Sequence, residues 1–146
     1  MKNRSVPVDT VLPHVMYLNV AEAIDWLTTT FGFSEHYRYG DPVSGAQMRF
    51  GNAYFMLKQS RGGSSPKELG YGTQMLTLFV NDVDTYYQHV KATGAKIVEE
   101  LNESCYGERQ FGVVDLDGHF WLFSQHARDL SPADWGAQLA ESKRAR

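Results

Sequence analysis

From residue 12 to 18 the chain is dense in apolar and aromatic residues. After Asn19 the apolar positions change spacing to Val20, Ile24, Leu27 and Phe31. The first pattern predicts a strand, the second one face of a helix. Asn19 suits the helix cap, with Glu22 three residues on, and Gly32 suits its C-terminal end. Three short strands are predicted over residues 34–39, 46–50 and 53–58, separated by Gly40-Asp41-Pro42 and by the tight Gly51-Asn52 turn. The same order returns about 63 residues later. Residues 74–80 read as a strand, Asn81-Asp82 as a cap, and Val83, Tyr86, Tyr87 and Val90 as one helical face closed by Gly94. Residues 96–101, 109–115 and 119–124 read as strands, the last two joined at Asp117-Gly118.

The expected architecture is therefore α+β: two pseudo-repeated βαβββ units forming a curved mixed sheet around a concave pocket, plus a C-terminal helix. As one domain, it comprises repeat one over about 8–59, a flexible linker over 60–72, repeat two over about 73–126 and the helix over about 131–142. The linker is rich in Gly and Ser, and Gly62-Gly63 reads as flap flexibility, lacking the Lys-Ser/Thr ending of a phosphate loop. Ser131 as cap and Pro132 in the first turn open the last helix.

Composition narrows the function. The chain has 146 residues, 42% of them hydrophobic, and a net charge of −3. Its basic residues form no run beyond Lys143, Arg144 and Arg146, so no nucleic-acid partner is expected. No apolar stretch approaches the roughly 20 residues of a membrane span. The single cysteine, Cys105, and a start with no apolar signal core predict a cytoplasmic protein without internal disulfides.

Several segments together carry a family resemblance. They are Ala23-Ile24-Asp25-Trp26 with Phe31-Gly32-Phe33, then Val80-Asn81-Asp82-Val83-Asp84, then Tyr106-Gly107-Glu108-Arg109, and finally the run from Asp115-Leu116-Asp117-Gly118 through His119-Phe120-Trp121. In this order, over residues 8–135, they resemble the glyoxalase/bleomycin resistance/dioxygenase (vicinal oxygen chelate) superfamily, in its PhnB-like branch. Leu116 departs from the proline usual there. The resemblance implies a divalent metal held by ligands from the first and last strand of each unit, acting as a Lewis acid on vicinal oxygens. Aligned on the caps and turns, those four positions are Leu12, Met56, Met75 and Leu122. None offers a donor for a hard cation, so the expected pocket holds no metal and no cofactor.

Period-two alternation puts His14 and Met16, Tyr54 and Met56, Met75, Thr77 and Phe79, and Phe120, Leu122 and Ser124 on the concave side, with Lys58 as a further polar point. Tyr106 and Arg109 join them from the signature loop, Arg109 as a possible partner for a ligand carboxylate or phosphate. An apolar lining with a few polar groups is a small-molecule pocket. The expected function is metal-free binding, and sequestration, of a small organic molecule by a homodimer. The alternatives are a glyoxalase-like lyase or an extradiol-type dioxygenase using a rearranged site around His14, and a partner-binding module whose concave face is closed by methionines.

Other residues read as structural. His119 falls on the helix side with Trp121, and Asp115 and Asp117 flank a hairpin turn where Asp serves the backbone. His36, His89 and His126 match no paired-ligand spacing. Cys105 has no activating base nearby in sequence.

Overall fold

A computed structural model gives the fold and describes residues 11–140. The elements run β1 (His14–Tyr17), α1 (Val20–Phe31), β2 (Ser34–Tyr39), β3 (Gly45–Phe50), β4 (Ala53–Gln59), α2 (Pro66–Leu69), β5 (Met75–Phe79), α3 (Val83–Ala92), β6 (Lys96–Glu103), β7 (Glu108–Val114) and β8 (Phe120–His126). They form two four-stranded sheets, ordered β1-β4-β3-β2 and β5-β8-β7-β6. In each, the outer strand pairs parallel with the last strand of its repeat, and the remaining pairs are antiparallel. The two βαβββ units predicted from the pattern are thus present, each as a mixed sheet with its helix.

The caps explain the helix limits. Asn19 accepts from the Glu22 N–H at 3.0 Å, and Asp82 accepts from the Thr85 N–H at 3.1 Å. Gly32, at φ 74°, closes α1 in the left-handed region open to glycine. A second device repeats between the units and is invisible in the periodicity. Gln59 on β4 accepts from the Val20 N–H at 3.4 Å, and Gln125 on β8 accepts from the Val83 N–H at 2.9 Å. Each repeat ties the start of its helix to the end of its own last strand, satisfying a donor that helix geometry leaves free.

Both helices and the inner faces of both sheets share one core. Phe31 of α1 meets Trp121 and Phe123 of β8 at ring separations of 5.8 and 5.0 Å. Phe33 meets Phe55 of β4 and Trp121 at 5.0 and 5.4 Å. Burying each such ring contributes about 1.5–3 kcal/mol. Tyr86 of α3 packs on Phe123 and donates its hydroxyl to the Phe31 carbonyl at 2.7 Å. Burial pushes the Tyr86 phenol upward, so it stays a donor.

A buried polar clasp joins the units. Asp115 accepts from the Tyr17 hydroxyl at 2.7 Å, from Trp121 Nε1 at 3.0 Å, and from the N–H groups of Asp117 and His119 at 3.0 Å each. Asp117 accepts from the Leu18 N–H at 2.8 Å, and His119 Nε2 lies 2.6 Å from the Met16 carbonyl oxygen. Burial raises the Asp115 carboxyl against the pull of these donors, and raises the Tyr17 phenol, with the facing carboxylate adding to it. The Asp pair therefore does more than shape a turn, while the structural reading of His119 agrees with its place here.

Two segments differ from expectation. The segment over 60–72 is not a loose flap: α2 is capped reciprocally by Ser65 and Glu68, and the Lys67 N–H donates to the Asp117 carbonyl at 2.9 Å. Gly118, at φ 86°, admits this approach, because a Cβ there would stand 2.5 Å from the Lys67 nitrogen. After β8 the expected helix over 131–142 is a single 3-10 turn, Pro132–Trp135, ended by Gly136 at φ 86°. Residues 141 and 142 of that expectation lie outside the described residues.

Candidate functional site

Strand register sets which side chains share a face. His14 lies opposite Met56 and Met16 opposite Lys58, while Met75, Thr77 and Phe79 lie opposite Phe120, Leu122 and Ser124. The intervening residues Leu57, Leu78, Trp121 and Phe123 are in the core. The face assignment by alternation is thus correct, and each sheet turns its other face away from the core.

Those two open faces have buried floors and exposed rims. On the first sheet Met56 is covered by Gln47, whose Nε2 is 3.6 Å from its sulfur, and by the Tyr37 hydroxyl at 3.9 Å. His36 Nδ1 lies 2.5 Å from Gln47 Oε1, and its ring packs edge-on against Tyr54 at 5.6 Å. On the second sheet the Ser124 hydroxyl donates to Gln110 Oε1 at 3.3 Å, and Gln110 Nε2 donates to the Tyr106 hydroxyl at 2.6 Å. Leu122 is buried beside them. Gln47 and Gln110 escaped the sequence reading, and the sequence alone reads His36 as structural. The 63-residue spacing that separates the caps also separates the two glutamines, which is the signal that could have found them.

The rims carry apolar groups in water. Met16 is 51% exposed, Met75 54% and Phe79 64%. Between β1 and β5 a groove of about 200 Å³ is lined by His14, Met16, Met75, His119 and Phe120. It adjoins a cleft of about 840 Å³, which Met75 and Phe120 also line, together with Trp26, Tyr71 and Lys96. The clasped segment holding α2 contributes Pro66, Gly72, Thr73 and Gln74 to both. A third cavity, of about 520 Å³, contains Tyr106 beside Trp135.

Of the residues chosen from sequence, His14, Met16, Met75 and Phe120 come together at the groove. Tyr54 and Met56 lie on the first floor, Leu122 and Ser124 on the second, and Thr77 and Phe79 on the second rim. Arg109 is a correction. It pairs with Gln125 on the helix side of β7, where Asp84 in the first turn of α3 receives its guanidinium at 2.8 and 3.0 Å. That pair holds the Asp84 carboxyl below its usual range and leaves the guanidinium already partnered.

Two thioethers and two isobutyl groups at Met56, Met75, Leu12 and Leu122 do not fit a hard divalent cation, which requires several oxygen or nitrogen donors. Among the described residues no three His, Cys, Asp or Glu side chains converge on a common point. His126 does touch two carboxylates, Glu108 at 3.1 Å and Asp129 at 2.6 Å, but through opposite ring nitrogens. No helix among the described residues is long and apolar enough to cross a membrane.

The family profile described as Glyoxalase/Bleomycin resistance protein/Dioxygenase superfamily matches residues 12–123. The uncharacterized protein Rv0887c of Mycobacterium tuberculosis (strain ATCC 25618 / H37Rv) is 31% identical over 128 residues, covering 82% of this chain and 75% of that protein. Among solved structures, TioX from Micromonospora sp. ML1 superposes with a TM-score of 0.68 at 28% identity, covering 82% of this chain and 99% of TioX. FosX of Listeria monocytogenes, a genomically encoded fosfomycin resistance protein seen with Mn(II) and sulfate, shares the fold. Its TM-score is 0.61 at 18% identity, over 84% of this chain and 91% of FosX.

Proposed function

From the premise that the chain belongs to the glyoxalase/bleomycin resistance protein/dioxygenase superfamily, we propose that it is a metal-free binding protein that holds, and so sequesters, a small flat organic molecule. One observation carries this reading: the four positions aligned with the metal ligands are Leu12, Met56, Met75 and Leu122, and Met75 opens onto a cleft with Trp26, Tyr71 and Phe120 in its walls. Lewis-acid chemistry needs hard donors and open coordination positions, whereas burial of a flat apolar ligand needs walls like Trp26, Tyr71 and Phe120. His14, at the mouth of the groove, gives the ligand a polar contact. The FosX resistance role belongs to FosX, and at its identity the likeness carries the fold alone.

The binding unit is a homodimer on this reading, because Met16, Met75 and Phe79 are large, exposed and on the open faces, as expected of surface that a second copy covers. The segment from Tyr106 to Arg109 supports a PhnB-like branch, and the single cysteine suits a reducing, cytoplasmic setting. The test is a thermal-shift screen of aromatic small molecules with the wild type and with Phe120→Ala. A ligand present at about 100 times its Kd stabilises the folded state by about 2.7 kcal/mol. The wild type is expected to respond and the variant to lose most of that response. Turnover in glyoxalase or extradiol assays that a chelator abolishes would overturn the reading in favour of an enzyme.

A further inference from the structure

The cleft that Met75 opens onto carries a charge pattern that its aromatic walls do not explain. Cross-strand partners form a row over the open face of the second sheet: Lys96 lies opposite Val114, Val114 opposite Phe120, and Phe120 opposite Met75. All four line the cleft. Ile97, next to Lys96, packs on the core, so alternation turns the Lys96 side chain to the open face. Lys96 and Phe120 are two strand spacings apart, about 10 Å between backbones, close enough for an extended lysine to reach a group held on the Phe120 ring. Gly112 seats the end of that ring on the sheet, because a Cβ there would stand 2.5 Å from Phe120 Cζ.

Lys67 borders the same end of the cleft. Its N–H donates to the Asp117 carbonyl, and its backbone packs on Gly118, two residues before Phe120. Pro66, Lys67 and Gly70 line the cleft, whereas Glu68 and Leu69 do not.

No carboxylate answers these two ammonium groups. Among the described residues neither lysine forms an ion pair. Asp115 is the one acidic residue in the lining, and its buried carboxylate already accepts from four donors in the clasp. Glu68 accepts from the Ser65 N–H at 3.0 Å and Glu99 from Asn102 at 3.4 Å, both outside the lining. Arg109 is held by Asp84 on the opposite face of the sheet. In a chain of net charge −3, a cleft of about 840 Å³ whose two unpaired charges are both positive is a local feature, and it attracts an anion.

We infer that the ligand of the cleft is an aromatic carboxylate, its ring on Phe120 and its carboxylate toward Lys96 and Lys67. The inference rests on the reading of the cleft as the ligand site and adds the sign of the ligand's charge.

The test compares 2-naphthoate with 2-naphthamide, alike in shape and differing in charge, in titrations of the full chain followed by NMR on the Trp26 indole N–H. The naphthoate is expected to bind roughly tenfold more tightly, as suits two partly exposed ion pairs. That advantage is expected to vanish in the double variant Lys67→Gln/Lys96→Gln and to shrink with added salt, which leaves the amide unchanged. Equal affinities, or a naphthoate preference that survives in the folded double variant, would overturn the anionic assignment and leave the cleft as an aromatic site. Saturable shifts from neither compound would overturn the assignment too, whereas the reading of the cleft itself stands or falls on the Phe120→Ala contrast in the thermal-shift screen.

Discussion

On the open face of the first sheet, the buried amide of Gln47 meets the sulfur of Met56 and the ring of His36. On the second sheet the matching amide, Gln110, joins Ser124 to Tyr106. Both glutamines are buried and both lie on the third strand of their repeat. The backbone of a repeat therefore decides where a buried amide sits, while its neighbours decide what it does. In the first unit the amide ends on a thioether, a weak acceptor, and a ring at the sheet edge. In the second it is one link of a chain that reaches the Tyr106 cavity. The turns differ in the same way: the first unit turns tightly at Gly51-Asn52, and the second through Asp115 to His119, which hold the two units together.

Breaking the clasp is expected to have the largest effect. Asp115→Ala strands the Tyr17 hydroxyl and Trp121 Nε1 in the core and should cost about 3 kcal/mol or more, whereas Asn52→Ala in the matching turn should cost under about 0.5 kcal/mol. Urea midpoints of the two variants check this, and similar losses would mean that the turns are equivalent after all. Next comes the amide pair. Gln110→Leu leaves Tyr106 and Ser124 without their partner and should cost about 1–3 kcal/mol, while Gln47→Leu should cost less than about 1 kcal/mol because His36 can turn to water. The caps sharpen the comparison from the other side: Gln59→Ala and Gln125→Ala should each cost about 1 kcal/mol, and a large inequality would show that the repeats do not share this device.

The smallest effect is a pH dependence confined to the second unit. Asp129 first and Glu108 second raise the pKa of His126 above the usual imidazole value. The folded chain thus holds this proton more tightly than the unfolded one. The stabilisation is present below the ordinary imidazole pKa of about 6.5 and is lost as pH rises through the raised value. A modest fall in Tm over that window is expected in the wild type and should disappear in His126→Gln. It is small because the pair is exposed.

Much of the frame is legible from pattern alone. Alternation sorts Met56 from Leu57 and Leu122 from Phe123 because side-chain direction along a strand is local. The pairing of His36 with Gln47 is not local, since it depends on strand order and on the bulge in β2 between Glu35 and Tyr37. Arg109 illustrates the limit. Its position follows from the segment that contains it, but its partner Asp84 comes from another element, 25 positions away. The cap signatures mislead in both directions. Ser65-Pro66-Lys67-Glu68 is a capping box inside a glycine-rich stretch and folds as a helical turn against Asp117. Ser131-Pro132 carries a similar start, yet Gly136 ends the turn after Trp135. A cap fixes where a helix begins, and apolar partners decide whether it continues.

The reading of the site depends most on Leu12, Met56, Met75 and Leu122. The most direct measurement is metal stoichiometry by elemental mass spectrometry, on untagged protein incubated with Zn²⁺, Ni²⁺, Mn²⁺ or Fe²⁺ and desalted. Without hard donors at those positions, less than about 0.1 metal per chain is expected. A value near one per chain or per dimer, lost on His14→Ala, would contradict the metal-free account and make a rearranged metal site the centre of the protein's chemistry.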